Sequence, residues 1–439
     1  MAGGTFVTQN KVRPGVYINM SSAPQTVGTT GERGVAALAL PLSWGAEKTL
    51  LRIQSSQADL KEVLGYELSA PQLLLVQEAL KRAQTLLLYR LNTGVQASAT
   101  HGVLEIKARY SGTRGNQLAV VIQSSLEHEG KYEVKTLLEG VEVDRQVALQ
   151  ASELQANSWV SFAGTDELEP TAGIPLTGGT DGAAANSDHT AFLSALELQS
   201  FNTVALVSED EALKGVYTAF IRRLRETEGY KVQAVLANYP IADHEGVISV
   251  KNGVILADGT TLTAAQATAW VAGATAGAAP NESLTYRAYD GAVDAAARYT
   301  HTQTESALQN GEFVFTASNG QAVVEQDINT LTRFTADKAR SFAKNRVIRV
   351  LDSIANDLKR IFEASYVGRV NNNNDGRSML RNEAVNYLQT LQSIAAIQNF
   401  NPQTDFTVQQ GEAVDSVLME VSVQPVDAAE KIYLKVTVA

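Results

Sequence analysis

Apolar and polar residues alternate cleanly at the carboxyl end of the chain. Ile432, Leu434, Val436 and Val438 fall on one side, and Lys431, Tyr433, Lys435 and Thr437 on the other. A period of two over eight residues predicts a strand with one apolar face. A shorter strand is predicted at Gly15-Val16-Tyr17-Ile18, after Arg13-Pro14 and a polar, glycine-rich start. Chain ends are usually polar and frayed unless something ties them down. Each of these strands needs a partner, which is either its own domain or a neighbouring copy. The second case makes the chain a building block of a polymer.

Between the ends the pattern changes three times. Residues 35–42 and 49–53 read as strands, 58–64 and 72–83 as helices. Residues 85–91, Thr-Leu-Leu-Leu-Tyr-Arg-Leu, are apolar almost throughout, as central strands of parallel sheets are. From residue 96 the chain turns to short alternating runs (103–108, 118–123, 132–138, 141–149) separated by glycine turns, the pattern of a sandwich or barrel. That stretch ends in Thr177-Gly-Gly-Thr-Asp-Gly182, which predicts a flexible junction. Helix–strand alternation then resumes: helices 189–199 and 209–228, strands 203–207 and 231–237. This predicts a parallel sheet interrupted by the β module. A hairpin is expected over 247–262, with turns at Asn252-Gly253 and Asp258-Gly259, and an alanine-rich helix over 264–279. Asn319-Gly320 marks a hairpin within 312–328. Two helices follow, 336–366 and 379–397, then strands at 404–408, 416–424 and the terminus. The predicted fold is an α/β core with an inserted all-β domain, a C-terminal α+β domain, and extended N- and C-terminal arms. The divisions are an arm over 1–30, the α/β domain from 31–95 and 183–310, the insert over 96–182, the α+β domain over 311–426, and the arm strand over 427–439.

Composition narrows the function. The net charge of -11 argues against a general nucleic-acid binder. With no cysteine there is no disulfide, thiolate metal site or thiol nucleophile. Charged residues are 19% of the chain, below the ordinary quarter, which suits a surface buried in assembly and also falls within compositional spread. The start, Met-Ala-Gly-Gly-Thr, has neither the basic nor the apolar region of a signal peptide. No apolar run approaches the ~20 residues of a membrane span, so no direct membrane insertion is expected.

Candidate chemistry is sparse. Phosphate-loop, Gly-x-Ser-x-Gly and His-Glu-x-x-His motifs are missing. Gly28, Gly31 and Gly34 have the wrong spacing for a dinucleotide fingerprint. The histidines His101, His128, His189, His244 and His301 lack metal spacing. Asp243-His244-Glu245 reads as a solvated loop, Asp290 and Asp294 as a capping or salt-bridging pair on one helix face, and Asn371 to Arg377 as a tight interhelical turn. No catalytic residue, cofactor or metal is expected. One charge feature stands out: residues 331–370 hold 9 Lys/Arg against 4 Asp/Glu, a local +5, which leaves -16 for the remainder of the chain. Arg340, Lys344, Arg346 and Arg349 flank the apolar stripe of the long helix. They form either a solvated face or a docking surface for an acidic partner.

Several stretches then point to a family. Ser283-Leu-Thr-Tyr-Arg-Ala-Tyr-Asp-Gly-Ala292, Val324-Glu-Gln-Asp-Ile-Asn-Thr-Leu331, Lys344-Asn-Arg-Val-Ile-Arg-Val-Leu351, the Gly-Arg-Val-Asn-Asn-Asn-Asn of residues 368–374, Val423-Gln-Pro-Val-Asp427 and Arg13-Pro-Gly-Val-Tyr-Ile18 resemble contractile phage tail sheath proteins of Gram-positive phages and phage-derived particles. The resemblance implies a non-enzymatic polymer. Subunits would stack as hexameric rings around an inner tail tube, meet baseplate and tail terminator proteins, and contract to drive the tube through a target envelope. The particle would be assembled in the host bacterial cytoplasm and act as a virion tail or extracellular phage-like particle. It implies strand exchange between subunits by Val16, Tyr17, Ile18, Ile432, Tyr433, Leu434, Val436 and Val438. It also implies an outward-facing insert and tube docking by the basic residues Arg340, Lys344, Arg346 and Arg349. The alternatives are the sheath of a headless bacteriocin or secretion-like injection system, and an α/β enzyme whose ends pair internally.

Overall fold

The computed structural model describes residues 2–4, 15–17, 33–57 and 59–437. Contacts divide the chain into two compact units, Gly31–Asn356 with Pro425–Ala439, and Met1–Thr30 with Asp357–Gln424.

The larger unit is built on a sheet whose strands run in the order Glu312–Phe313, Val247–Val250, Gln233–Ala237, Thr203–Ala205, Val35–Leu40, Thr85–Arg90 and Leu50–Gln54. All pair in parallel except Leu50–Gln54, which closes one edge antiparallel. Thr85–Arg90 is buried at every position because helices cover both faces. Leu86 and Leu88 join the cluster around Trp270, while Leu87 and Tyr89 pack with Phe192 and Tyr217 on the other side. The helix Ala264–Gly277 opens with a reciprocal cap, Gln266 N–H on Thr263 Oγ1 and Thr263 N–H on Gln266 Oε1. It lies almost backbone to backbone on the segment around Leu74–Leu80: a Cβ at Gly273 would stand 2.2 Å from the Ala79 carbonyl oxygen. Only glycine permits that approach.

The all-β domain is a sandwich. One sheet has the order Val141–Ala148, Tyr132–Leu138, Leu118–Ser124, Thr171–Pro175, and the other Val160–Ala163, Leu104–Ala108, Ser98–His101. Trp44, from the α/β body, enters its core against Trp159 and Tyr110, with ring centroids 5.5 and 5.4 Å away. The glycine-rich stretch 177–182 is not the flexible junction that composition suggested. Thr180 and Val95 exchange backbone hydrogen bonds of 3.0 and 3.1 Å. A Cβ on Gly94 would stand 1.7 Å from the Thr180 carbonyl oxygen, one on Gly179 2.5 Å from the Gly112 oxygen and one on Gly182 2.0 Å from the Thr93 oxygen, so these three glycines serve close packing.

Other expectations are corrected locally. Val247–Val250 belongs to the central sheet. The hairpin is only Val254–Leu256 with Thr261–Leu262, turning at Asp258-Gly259. Asn252 makes no turn; its buried amide bonds the Phe315 backbone in both directions. Asp290 and Asp294 share no helix, since Ala292–Ala295 is a strand. Asp290 holds Arg82 and Trp270, and Asp294 holds Arg298. The Asn319-Gly320 hairpin forms as expected, Phe315–Ser318 against Gln321–Val324, with φ of 51° and 74° at the two turn residues.

The long helix spans Asn345–Ser365 rather than 336–366. Lys344 is extended and bridges to Ile328, so residues 340–343 make only a separate 3₁₀ turn. In the smaller unit the next helix, Asn374–Ser393, starts inside the stretch taken for a turn, because Asn373 caps it on Gly376 N–H at 2.9 Å. Phe406–Gln410 and Val417–Val421 form an antiparallel pair. Gly15–Tyr17 pairs in parallel with Ala2–Gly4. Ile18 and Val438 lie outside the described residues.

Candidate assembly surface

Residues 431–437 form no strand in the single chain. Ile432, Tyr433, Leu434 and Val436 are between 77% and 90% exposed. Among the described residues none offers their main chain a hydrogen bond. The alternating tail is thus unpaired among the described residues, and its apolar residues are uncovered. An exposed apolar strand edge is a template for pairing with another chain. In the smaller unit, the two-stranded sheet of Phe406–Gln410 and Val417–Val421 has no third strand on either side among the described residues.

The exposed tail starts abruptly after Glu430, whose carboxylate is nearly buried. It accepts hydrogen bonds from Thr285 Oγ1 (2.7 Å) and Gln326 Nε2 (2.6 Å) and pairs with Lys344. Burial pushes its pKa up, but the bonds from Lys344, Gln326 and Thr285 outweigh it and hold the carboxyl below the usual carboxylate range. The stabilisation is complete above the unfolded-chain value of about 4.3 and is lost as the pH falls through the lower folded value. Glu430→Gln should melt several degrees below wild type at pH 6, and that gap should narrow as the pH falls below the unfolded value of about 4.3, as calorimetry across pH would record.

This placement corrects the docking assignment. Lys344 is engaged with Glu430, and Arg349 is completely buried, paired with Asp327 at 3.4 Å and donating to the Glu282 carbonyl at 2.5 Å. Arg346 is half-buried, and of the four only Arg340 is exposed. Burial removes Arg349 from any docking face, and the Glu430 pairing neutralises Lys344. The charges flanking the stripe looked solvated in sequence, because their acceptors, Asp327 and Glu430, lie 22 and 86 residues away. Glu430, Asp327, Thr285 and Arg33 were not singled out by sequence, and no local pattern could have found them.

Asp243-His244-Glu245 is likewise no solvated loop. His244 and Glu245 are buried, with Glu245 held by Lys338 at 2.9 Å and near Arg225 at 3.9 Å. Burial lowers the His244 pKa. Arg225 itself makes a two-pronged bond to Asp352 at 2.7 and 2.9 Å. Among the described residues no group of three or more His, Cys, Asp or Glu is placed to hold a metal ion. No helix there is long and apolar enough to cross a membrane.

Comparison with known proteins covers nearly the whole chain. Four family descriptions match in succession: the Gp18 domain III N-terminal region of tail sheath protein (33–91), the phage tail sheath beta-sandwich domain (92–181), the phage tail sheath central domain (182–330) and the phage tail sheath C-terminal domain (337–439). The phage-like element PBSX protein XkdK of Bacillus subtilis is 43% identical over the full length of both chains. The crystal structure of a sheath tail protein from Desulfitobacterium hafniense superposes with a TM-score of 0.88 at 56% identity, covering 96% of this chain and 99% of that one. The contracted helical sheath of the anti-feeding prophage superposes at 0.59 over 97% and 99%; at 14% identity that likeness shows the fold alone. With the sandwich set into the α/β core and an α+β segment closing the chain, and with relatives this similar end to end, the chain belongs to the phage tail sheath protein family.

Proposed function

We propose that this protein is the subunit of a contractile tail sheath that polymerises as stacked hexameric rings around an inner tube, joined by strand exchange through both ends. The family consists of structural sheath proteins, and this chain is one of them rather than an enzyme. The observation that carries the strand-exchange reading is the tail 431–437, patterned as a strand and left without a partner. A neighbour's open sheet edge supplies the main-chain bonds, and its surface takes Ile432, Leu434 and Val436. Val16 and Tyr17 sit in a two-stranded pair with no third strand among the described residues, and they do the same at the other end. Contraction moves the subunits as bodies while the strand joints persist, and the tube is driven through the target envelope. The sheath works as part of a phage tail or a related extracellular particle, assembled in the host cytoplasm, with baseplate and tail terminator proteins at its ends. Negative-stain microscopy of the purified protein tests the reading: hollow cylinders are expected, and monodisperse particles at all concentrations would sink it.

For tube docking, Arg340 is the candidate that remains on the surface, on its 3₁₀ turn. Arg340→Glu should weaken assembly on the tube several-fold while sparing tube-free polymers, read by sedimentation at low salt, where exposed charges act most strongly. Equal loss in both would remove the assignment.

A further inference from the structure

Arg33 is the first residue described after the amino-terminal segment, and Glu430 precedes the exposed tail. Arg33 Nε donates to the Ala278 carbonyl and its Nη1 to Ser353 Oγ, both at 3.2 Å. Ser353 Oγ donates to the Arg349 carbonyl at 2.8 Å. Arg349 pairs with Asp327, and both side chains are wholly inaccessible to solvent. Asp327 also accepts from Asn345 Nδ2 at 2.9 Å and from Leu284 N–H at 3.0 Å, and its own N–H donates to Thr285 Oγ1 at 3.0 Å. Thr285 then bonds Glu430.

These bonds make one uninterrupted chain from the first arm root to the second. Asn345, Arg349 and Ser353 stand at i, i+4 and i+8, so a single row of the long helix carries its middle. The guanidinium fork of Arg349 is planar and pre-organised, and the buried pair is little weakened by solvent. Lys344, next to Asn345 at the start of the same helix, pairs with Glu430 and gives the row a second hold on the carboxyl-terminal root.

We propose that this row, Asn345–Arg349–Ser353 with Asp327 at its centre, is a tie-bar that carries tension from one arm root to the other. In a lattice joined through its ends, each subunit is pulled at those roots when the lattice is strained. A continuous buried network lets the pull pass through the subunit without opening the central sheet. The functional part of this inference rests on the strand-exchange reading, but the mechanical property belongs to the single chain and is tested there. A negative result therefore leaves polymerisation untouched, and failure to polymerise leaves the mechanics untouched.

The test is unfolding of the full-length protein at constant force in two pulling geometries. One uses handles fused to the two ends. The other uses Leu198→Cys with Ile241→Cys, 84% and 76% exposed in a chain that has no cysteine, and loads the central sheet instead. Arg349→Met is expected to speed unfolding from the ends about tenfold or more and to leave the second geometry within about twofold. Ser353→Ala keeps the buried pair and removes the two hydroxyl bonds, from Arg33 and to the Arg349 carbonyl, and should give about threefold from the ends alone. If Arg349→Met does not fold, the serine variant decides. Equal acceleration in both geometries would show an ordinary stabilising network and overturn the proposal. No acceleration from the ends would overturn it as well.

Discussion

Deletion of residues 431–439 should abolish polymerisation and leave the subunit folded, with its melting temperature unchanged. The large apolar side chains of the tail are at least 77% exposed, so removing it withdraws little from folding. In a joint between subunits the same residues would supply a ladder of backbone hydrogen bonds, each worth about 1 kcal/mol net. They would also bury Ile432, Leu434 and Val436, each worth about 1.5–3 kcal/mol when fully covered. Ordering the tail and fixing the neighbour offset much of that gain. A net loss of about 4 kcal/mol per joint would still raise the critical concentration about a thousandfold. Circular dichroism tests the first half of the prediction, and sedimentation with electron microscopy the second. A truncated protein that forms tubes at the wild-type concentration would end the strand-exchange reading.

The second large effect concerns stability. Arg225→Met should lower it by about 3–5 kcal/mol, because Asp352 would be left buried and unpaired next to Glu245. Arg225 has only 4% of its side chain exposed, so water cannot substitute for Asp352. A whole domain is stable by only about 5–15 kcal/mol, so the variant should melt many degrees lower. Arg225→Met with Asp352→Leu should recover most of the loss, since replacing both partners by apolar residues removes the orphaned charge. Urea or thermal unfolding of the two variants checks this. A single-variant loss below about 1 kcal/mol would show that the pair is screened as a surface pair is.

The elements whose shape is written locally were legible in the sequence. Asn319-Gly320 announces its hairpin, and the run 85–91 its central strand, because turn geometry and two-sided burial leave marks on neighbouring residues. The insertion of the sandwich was legible because periodicity changes on both sides of it. The charged residues were not. Arg349 on an amphipathic helix looks the same whether it meets water or Asp327, and His244-Glu245 looks solvated until Arg225 and Lys338 arrive from elsewhere in the chain. Pairings of that kind depend on contacts made only after folding. Residues 431–437 show a third case: the alternation expects a strand and the single chain forms none there, because an extended strand exists only when paired with another one.

The way the sandwich is joined to the body has a practical side. Its entry and exit segments touch at Val95 and Thr180, so the chain enters and leaves the module side by side. A foreign domain whose own termini lie side by side could be spliced at that point without stretching the parallel sheet. The graft would need to refill the socket around Trp44 and keep the glycines that let the two segments touch. On such terms the sandwich is an exchangeable cassette, and any polymer of this subunit would carry the cargo once per copy.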